Sequence, residues 1–504
     1  MRKVPDIFRL LIVGCVVVIC TASSQFECDV CELAVDVLGN ANDTRMIDRA
    51  LVRECQTLSK RNESFCEHFV EELCETVTPF VRKEIDSLAW SSRGVCAALQ
   101  LCDVPCCLAE TKPEQIHLSL AEHSDEMWVT WVTLRNTSSH IVQWSLDEQD
   151  LTRGEMSNGT ADTYSHLGWI GQIHYAKMQG LKPSLTYFYR VGDNSSSAQT
   201  TMWSDIFSFR TLPSNSSLRI VFLADMGLGD ASDDTIRRVE SDVLSGKVDL
   251  VVHNGDISYS DGDESHWDAF MRKIECVASR VPYMTVPGNH EFLFNFTAYK
   301  KRFRMPSENE ESMYYALTIG TSPRIKMVGI DTESPLDLAF VAKSQREWLH
   351  RVLEQEVNNF TSGNNWTVVF GHRPLYCSNH GGQDVPEGNY LLRALAEEAF
   401  ITHGVDLVVQ GHLHDYERSY PLRYGFATQH NYSSPTNAPV YVVNGAAGNR
   451  EGNSNPPGNR DWNAPGACSE DVSYALVTFT PKEINWRQIR SSDGGLVDEW
   501  SLQK

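Results

Sequence analysis

Positive charge is what this chain is short of. Its 44 Lys and Arg face 66 Asp and Glu, giving a formal net charge of -22. Phosphate backbones would be repelled unless a basic patch were concentrated somewhere, and none is visible, so no nucleic-acid partner is expected. Long apolar runs are scarce as well. Only Leu10 to Cys20 stands out, and it falls short of the roughly 20 residues that span a bilayer comfortably. With Arg2, Lys3 and Arg9 before it and Thr21 to Ser24 after it, residues 1–24 read as a signal peptide, an uncleaved signal anchor being the alternative. The expected address is secreted or extracellular, with a lysosome-like compartment as its variant. Cysteine nearly disappears after residue 110, where Cys276, Cys377 and Cys468 stand alone.

What is present fits that address. The 504 residues, 41% hydrophobic and 22% charged, describe a folded chain of roughly three domains at about 150 residues each. Sequons at Asn42, Asn62, Asn136, Asn158, Asn194, Asn215, Asn295, Asn359, Asn365 and Asn431 predict a glycoprotein. Cys28, Cys31, Cys55, Cys66, Cys74, Cys96, Cys102, Cys106 and Cys107 crowd the front, as in a disulfide scaffold. A zinc site on Cys28 and Cys31 lacks the His or second Cys pair it needs. Val30, Leu33, Val37 and Leu38 fall on one helical face, as do Phe69, Val70, Leu73, Val77 and Val81.

The spacing Cys28-x2-Cys31, Cys55-x10-Cys66, Cys96-x5-Cys102 resembles the saposin B-type module, which makes residues 25–108 a small all-α, disulfide-linked unit. The resemblance implies the pairs Cys28 with Cys102, Cys31 with Cys96 and Cys55 with Cys66. It also implies lipid or membrane-surface contact, a stabilising or escorting appendage being the other reading. Cys74, Cys106, Cys107, Cys276, Cys377 and Cys468 are left over. A bridge between regions, a link between two chains of a homodimer, and free thiols are all open.

Residues 112–213 alternate like half-buried strands: Ile116, Leu118, Leu120; Trp128, Thr130, Val132; Tyr187, Tyr189, Val191; Ile206, Ser208, Arg210. Turn signals at Gly180 to Pro183 and Gly192 to Asn194 separate them. An antiparallel, fibronectin III-like β-sandwich is predicted. It holds no cluster of ligands, so its expected role is to frame the site.

Beyond it, five apolar runs each lead to side chains that can bind metal. Leu218 to Asp225 closes on Asp225; Val248 to Val252 leads to Asp256 and Tyr259; Pro282 to Pro287 leads to Asn289 and His290. Trp366 to Phe370 leads to His372, and Val405 to Gln410 to His412 and His414. Open α/β sheets gather their chemistry at the carboxyl ends of strands, so this pattern spells a two-metal phosphoester site. Asp256 is the natural bridge, beside a Gly255 that permits a tight turn. His412 and His414, two apart in an extended segment, point to one side. Carboxylates and a phenolate suit a trivalent ion, while imidazoles and an amide suit divalent Zn, Mn or Fe.

Asp225-Met226-Gly227, Gly255-Asp256-x-x-Tyr259, Gly288-Asn289-His290-Glu291, Val369-Phe370-Gly371-His372 and Gly411-His412-x-His414 resemble, in order, the five blocks of the purple acid phosphatases. The similarity runs from the sandwich to the carboxyl end, including Ala438 to Gly448. It implies an α/β metallophosphoesterase domain, a β-sandwich with flanking helices, over 218–430, completed by residues 431–504. It implies Fe(III) on Asp225, Asp256, Tyr259 and His414, and a divalent metal (Zn, Fe or Mn) on Asp256, Asn289, His372 and His412. The implied activity is acid hydrolysis of phosphomonoesters by metal-bound hydroxide, with His290 of the third block as a catalytic histidine that contacts phosphate or protonates the leaving oxygen; His380, a short loop beyond His372, is the second catalytic candidate, a solvated loop histidine being its alternative. Tyr259 carries the acid-range expectation, because a phenol with pKa near 10 ionises only beside a strongly polarising cation.

Two other readings compete. A saposin-like module before a metallophosphoesterase also resembles acid sphingomyelinase, a lipid phosphodiesterase, but that enzyme has Asp-x-His where this chain has Asp225-Met226-Gly227. A lipid-binding protein on a dead scaffold would tolerate loss of ligands, and none of the expected ones is substituted. His253 is expected to be a core histidine, Asp415 to Arg418 a support for the loop before it, and Gly448 to Gly466 a long loop at the site mouth.

Overall fold

The computed structural model describes residues 112–165, 168–194, 202–308, 311–337, 339–357, 365–378, 389–433, 438–453 and 460–504. The expected leader, the saposin-like module and His380 lie outside the described residues. One compact unit comprises Thr111–Tyr164, Ile170–Asp261 and His266–Lys504. All the packing considered below lies within it.

The front of this unit is a sandwich of β1 (Glu114–Leu120), β2 (Met127–Thr133), β3 (Ile141–Ser145), β4 (Glu155–Asn158), β5 (Thr160–Asp162), β6 (Gln172–Met178), β7 (Thr186–Asp193), β8 (Met202–Trp203) and β9 (Phe207–Arg210). One sheet runs β1-β2-β6-β5; the other runs β4-β3-β7-β8, with β9 also on β7. In β9 the inward phase is the opposite of the one expected. Ile206 is 44% exposed, while Phe209 is buried and stacks on Tyr187 with centroids 5.9 Å apart. Two phenylalanines out of register with Ile206 bury more apolar surface than one isoleucine, and a one-residue change of phase exchanges the faces. β1 is buried on both sides. Its second face meets the part that follows the sandwich, where Glu275 Oε2 accepts from Ile116 N at 2.9 Å and Arg302 is buried, donating to Tyr164, Gln115 and Asp268.

The second part begins with β10 (Leu218–Leu223), α1 (Asp230–Leu244), β11 (Leu250–Asn254), α2 (Glu264–Ala278), β12 (Tyr283–Val286), α3 (Leu293–Arg302), β13 (Tyr315–Ile319) and β14 (Arg324–Gly329). It continues through α4 (Ser334–Asp337), α5 (Ala339–Val357), β15 (Asn365–Phe370), α6 (Tyr390–Thr402), β16 (Leu407–Gln410), β17 (Tyr416–Ser419), β18 (Leu422–Arg423), β19 (Phe426–Ala427) and β20 (Val440–Asn444). It ends with β21 (Asn463–Ser469), β22 (Ser473–Phe479), β23 (Glu483–Arg490) and β24 (Leu496–Gln503).

Apart from β18 and β19, which pair with each other, these strands form two sheets, β12-β11-β10-β22-β23-β24 and β13-β14-β15-β16-β20-β17-β21. The strands that end on candidate ligands run parallel to one another, β10, β11 and β12 in the first sheet and β15 and β16 in the second, while β10 is antiparallel to β22 on its other side. Parallel strands are covered on both faces, which is why they read as unbroken apolar runs. Between the sheets lies one core in which Ile220, Val252 and Val286 meet Met327, Val368 and Val409. Outside, Ile236, Val239 and Val243 of α1 pack on the first sheet, and Trp348, Leu349, Leu392 and Phe400 of α5 and α6 pack on the second. Each such side chain contributes roughly 1.5–3 kcal/mol by leaving water. This packing holds the strand ends of the two sheets side by side. The expected loop from Gly448 to Gly466 is interrupted by β21, which pairs with β17 at the sheet edge and contains Gly466.

Candidate metal centre

The site is made by turns that leave those strand ends sharply. Asp225, Asp256, Tyr259 and His412 all have positive φ, between 48° and 69°. Such conformations cost a non-glycine residue roughly 1–3 kcal/mol and persist where surrounding structure enforces them. Here the enforcement is mutual. Asp225 N donates to Gly255 O, Met226 N to Asp256 O, and Gly227 N to Ile257 O. Gly255 adds φ 84°, and a Cβ there would lie 2.7 Å from the His372 ring.

Two groups of donor atoms result. In the first, Tyr259 Oη lies 3.2 Å from Asp225 Oδ1 and 3.1 Å from His414 Nε2, and Asp225 Oδ1 is 3.6 Å from that nitrogen. In the second, His372 Nε2 lies 3.1 Å from Asp256 Oδ2 and 3.2 Å from Asn289 Oδ1. Ligand atoms of Asp256, His372 and His412 all lie within 4.8 Å of one another. Main-chain carbonyls set the tautomers: His372 Nδ1 donates to Asn254 O at 2.9 Å and His414 Nδ1 to Gly452 O at 2.8 Å. Each histidine therefore aims Nε2 at the carboxylates, as an N–H when the ring is protonated and as a lone pair when a cation takes the proton's place.

This arrangement fits cations. Atoms bound about 2.1 Å from one ion stand about 3.0 Å apart at octahedral angles and about 3.4 Å apart at tetrahedral ones, close to the separations found. Without positive charge the groups oppose one another. Burial, opposed by His372 and aided by Asp256, pushes the Asp225 carboxyl well above its usual range. Burial with Asp225 and Asp256 pushes the Tyr259 phenol up likewise. His372 resists its own burial because Asp256 and Asp225 raise it to about 10. Lone pairs and carboxylates collected out of water need a cation among them.

His290 stands at the edge, its ring centroid 4.2 Å from that of Tyr259. Its Nδ1 lies 2.6 Å from Asp261 Oδ1, and Nε2 lies 3.9 Å from Asp256 Oδ2 and 3.6 Å from Glu451 Oε1. Burial works against its proton, but Asp261 and Asp256 raise it to about 9. His380 is outside the described residues. His253 is buried with Nδ1 2.9 Å from Tyr283 Oη, and burial lowers it to about 3, so it is a neutral core residue. Glu417 accepts from Ser378 N, and Arg418 pairs with Asp498 at 2.9 Å. Glu417 thus holds the segment after His372 and Arg418 the last strand, while Asp415 N donates to Leu413 O within the loop carrying His412 and His414.

Several contributors have no role in the sequence reading. Glu291 is buried and accepts from Ile257 N at 3.0 Å and Gly288 N at 2.8 Å, tying the Asp256 turn to the Asn289 turn. Asn449 donates from its side chain and its main chain to Asp225 O. Thr332 Oγ1 accepts from the amides of His372 and Arg373, and Glu333 pairs with Arg373 at 2.7 Å. Only Glu291 was signalled beforehand, as the last residue of Gly288-Asn289-His290-Glu291.

Comparison with known proteins agrees with this architecture. Residues 113–211 match the purple acid phosphatase N-terminal domain, 218–416 the calcineurin-like phosphoesterase, and 438–499 the iron/zinc purple acid phosphatase-like protein C-terminal model. Acid phosphatase type 7 of Danio rerio is 30% identical over 437 residues, 81% of this chain and 94% of the relative. The Homo sapiens protein of that name is 33% identical over 363 residues, 67% of this chain and 78% of the relative. A purple acid phosphatase from yellow lupin (Lupinus luteus) seeds superposes with a TM-score of 0.69 at 24% identity, over 79% of this chain and 75% of that one, and shows the same fold. With matching models from the sandwich to the carboxyl end and relatives aligned over most of their length, the chain belongs to the purple acid phosphatase family and is a metal-dependent acid phosphatase.

Proposed function

We propose that this protein hydrolyses phosphomonoesters in the acid range at a dinuclear centre, Fe(III) on Asp225, Asp256, Tyr259 and His414 and a divalent Zn, Fe or Mn on Asp256, Asn289, His372 and His412. The observation that carries the reading is the pair of donor groups about 3 Å apart internally, one around Tyr259 and one around His372, with Asp256 in the second group and its charge felt by Asp225 and Tyr259 of the first. When bound, such a cation pair activates water and neutralises the phosphoryl oxygens. The residues of the chain do the rest. Tyr259 and Asp225 supply anionic oxygen from the first sheet, His414 a fixed lone pair from the second. Asp261 accepts from His290 Nδ1 and so aims Nε2 at the space before Asp256, where it can donate to a phosphoryl or leaving-group oxygen.

The saposin-like reading of residues 25–108 gives this enzyme a lipid-contacting appendage, and the leader gives it a secreted or lysosome-like address. A homodimer linked through a leftover cysteine completes the proposal. The deciding experiment is turnover of purified, metal-analysed protein on mono- and diesters from pH 3 to 8. Monoester cleavage with iron present supports the phosphatase reading. Preference for a choline phosphodiester would favour the sphingomyelinase-like alternative, and no turnover with no bound iron would favour a binding protein.

A further inference from the structure

Arg373 follows the proposed ligand His372 and is unused by the mechanism above. Its guanidinium is anchored at one end: Nε donates to Glu333 Oε2 at 2.7 Å, with the side chains 13% and 5% exposed. At the other end Nη1 lies 3.1 Å from His412 Nε2. A neutral imidazole has one lone pair and one N–H. If Nε2 takes a cation, its lone pair is used; if Nδ1 takes it, Nε2 carries the hydrogen. Either way Nη1 loses its acceptor, while Glu333 keeps the guanidinium in place. A guanidinium cannot shed its charge, and its planar fork matches phosphate oxygens. Loading the centre therefore frees a fixed cationic donor beside the place where a phosphate ester would sit.

We propose that Arg373 is a phosphate-binding arm released by metal loading. With Nε held by Glu333, Nη1 is left to a phosphoryl oxygen of substrate or product once His412 holds an ion. The inference rests on the phosphate-ester reading and on the ligand role of His412.

Two equilibrium measurements on the full chain test it, and they carry opposite signs. In the metal-free protein, Arg373→Met binds Zn(II) about five-fold more tightly than wild type, because no hydrogen bond must be broken to free His412. In the metal-loaded protein the same variant binds inorganic phosphate at least ten-fold more weakly by calorimetry, with Arg373→Lys between it and wild type. General damage to the site would weaken both affinities. That result, or unchanged phosphate affinity, overturns the proposal, and Arg373→Lys serves alone if Arg373→Met does not fold. If loaded wild-type protein binds phosphate through Arg373 yet turns over no monoester, the catalytic reading fails and the arm stands.

Discussion

Replacing Glu291 by Gln changes no volume and removes one acceptor from a buried clasp. Glu291 is 4% exposed, and its two oxygens take the amides of Ile257 and Gly288 at 3.0 and 2.8 Å. A glutamine can serve one of them and turns an NH2 toward the other. Stranding one buried amide costs about 1–3 kcal/mol, and the surviving bond, no longer charge-assisted, loses about 1 kcal/mol more. A loss of about 3 kcal/mol lowers the melting temperature by about 6–12 °C at 2–4 °C per kcal/mol. Burial and the charge of Asp256 raise Glu291 to about 7, so the measurement belongs at pH 8 on the cation-loaded protein, where Glu291 is ionised and the charge of Asp256 that opposes its ionisation is offset. Since the clasp joins the turns carrying Asp256 and Asn289, metal content after dialysis should fall as well. A melting point within 2 °C of wild type with full metal content would refute the reasoning.

Tyr259→Phe should abolish the visible charge-transfer band of the iron-loaded protein while its iron content is monitored; unchanged absorbance would remove the phenolate from the centre. Gly255→Ala should destabilise the fold and reduce metal affinity. It combines a left-handed penalty of about 1–2 kcal/mol with about 1–3 kcal/mol of overpacking against the His372 ring. Gly180→Ala, also at positive φ but with nothing within 4 Å of its Cβ, isolates the first term in denaturant titrations. The sandwich core carries an acid liability in His174, which is buried with Nε2 2.8 Å from Thr133 Oγ1 and Nδ1 2.9 Å from His140 Nδ1. Burial and the neighbouring His140 lower it from 6.5 to about 3. The unfolded chain thus takes up a proton that the folded one refuses. The contribution to instability is absent above pH 6.5 and grows as pH falls toward 3, reaching about 3 kcal/mol near pH 4.5. His174→Gln should flatten the pH dependence of stability across that window, and an unaltered slope would contradict the assignment.

The strand ends were legible because two requirements coincide in them. A strand buried on both faces must be apolar along its length, and a ligand must follow where the backbone emerges. Leu218 to Asp225 meets both within eight residues. Glu291 was legible as part of its motif but not by its partners, and Asn449 and Arg373 were opaque, for the opposite reason: their work is done by hydrogen bonds between loops distant in sequence, and no local pattern encodes the partner. β21 was hidden by Pro465 and Gly466, residues that signal a turn but are tolerated on an edge strand. The phase of β9 was ambiguous because Ile206, Phe207 and Phe209 place apolar residues in both alternations.

Asp225, Asp256 and Asn289 follow strands of the first sheet, whereas His372, His412 and His414 follow strands of the second. Any ion shared between these sets is a rivet through both halves of the catalytic layer. Its affinity for the folded chain is then converted directly into resistance to unfolding, and chelation should loosen the whole layer rather than merely silence one corner of it.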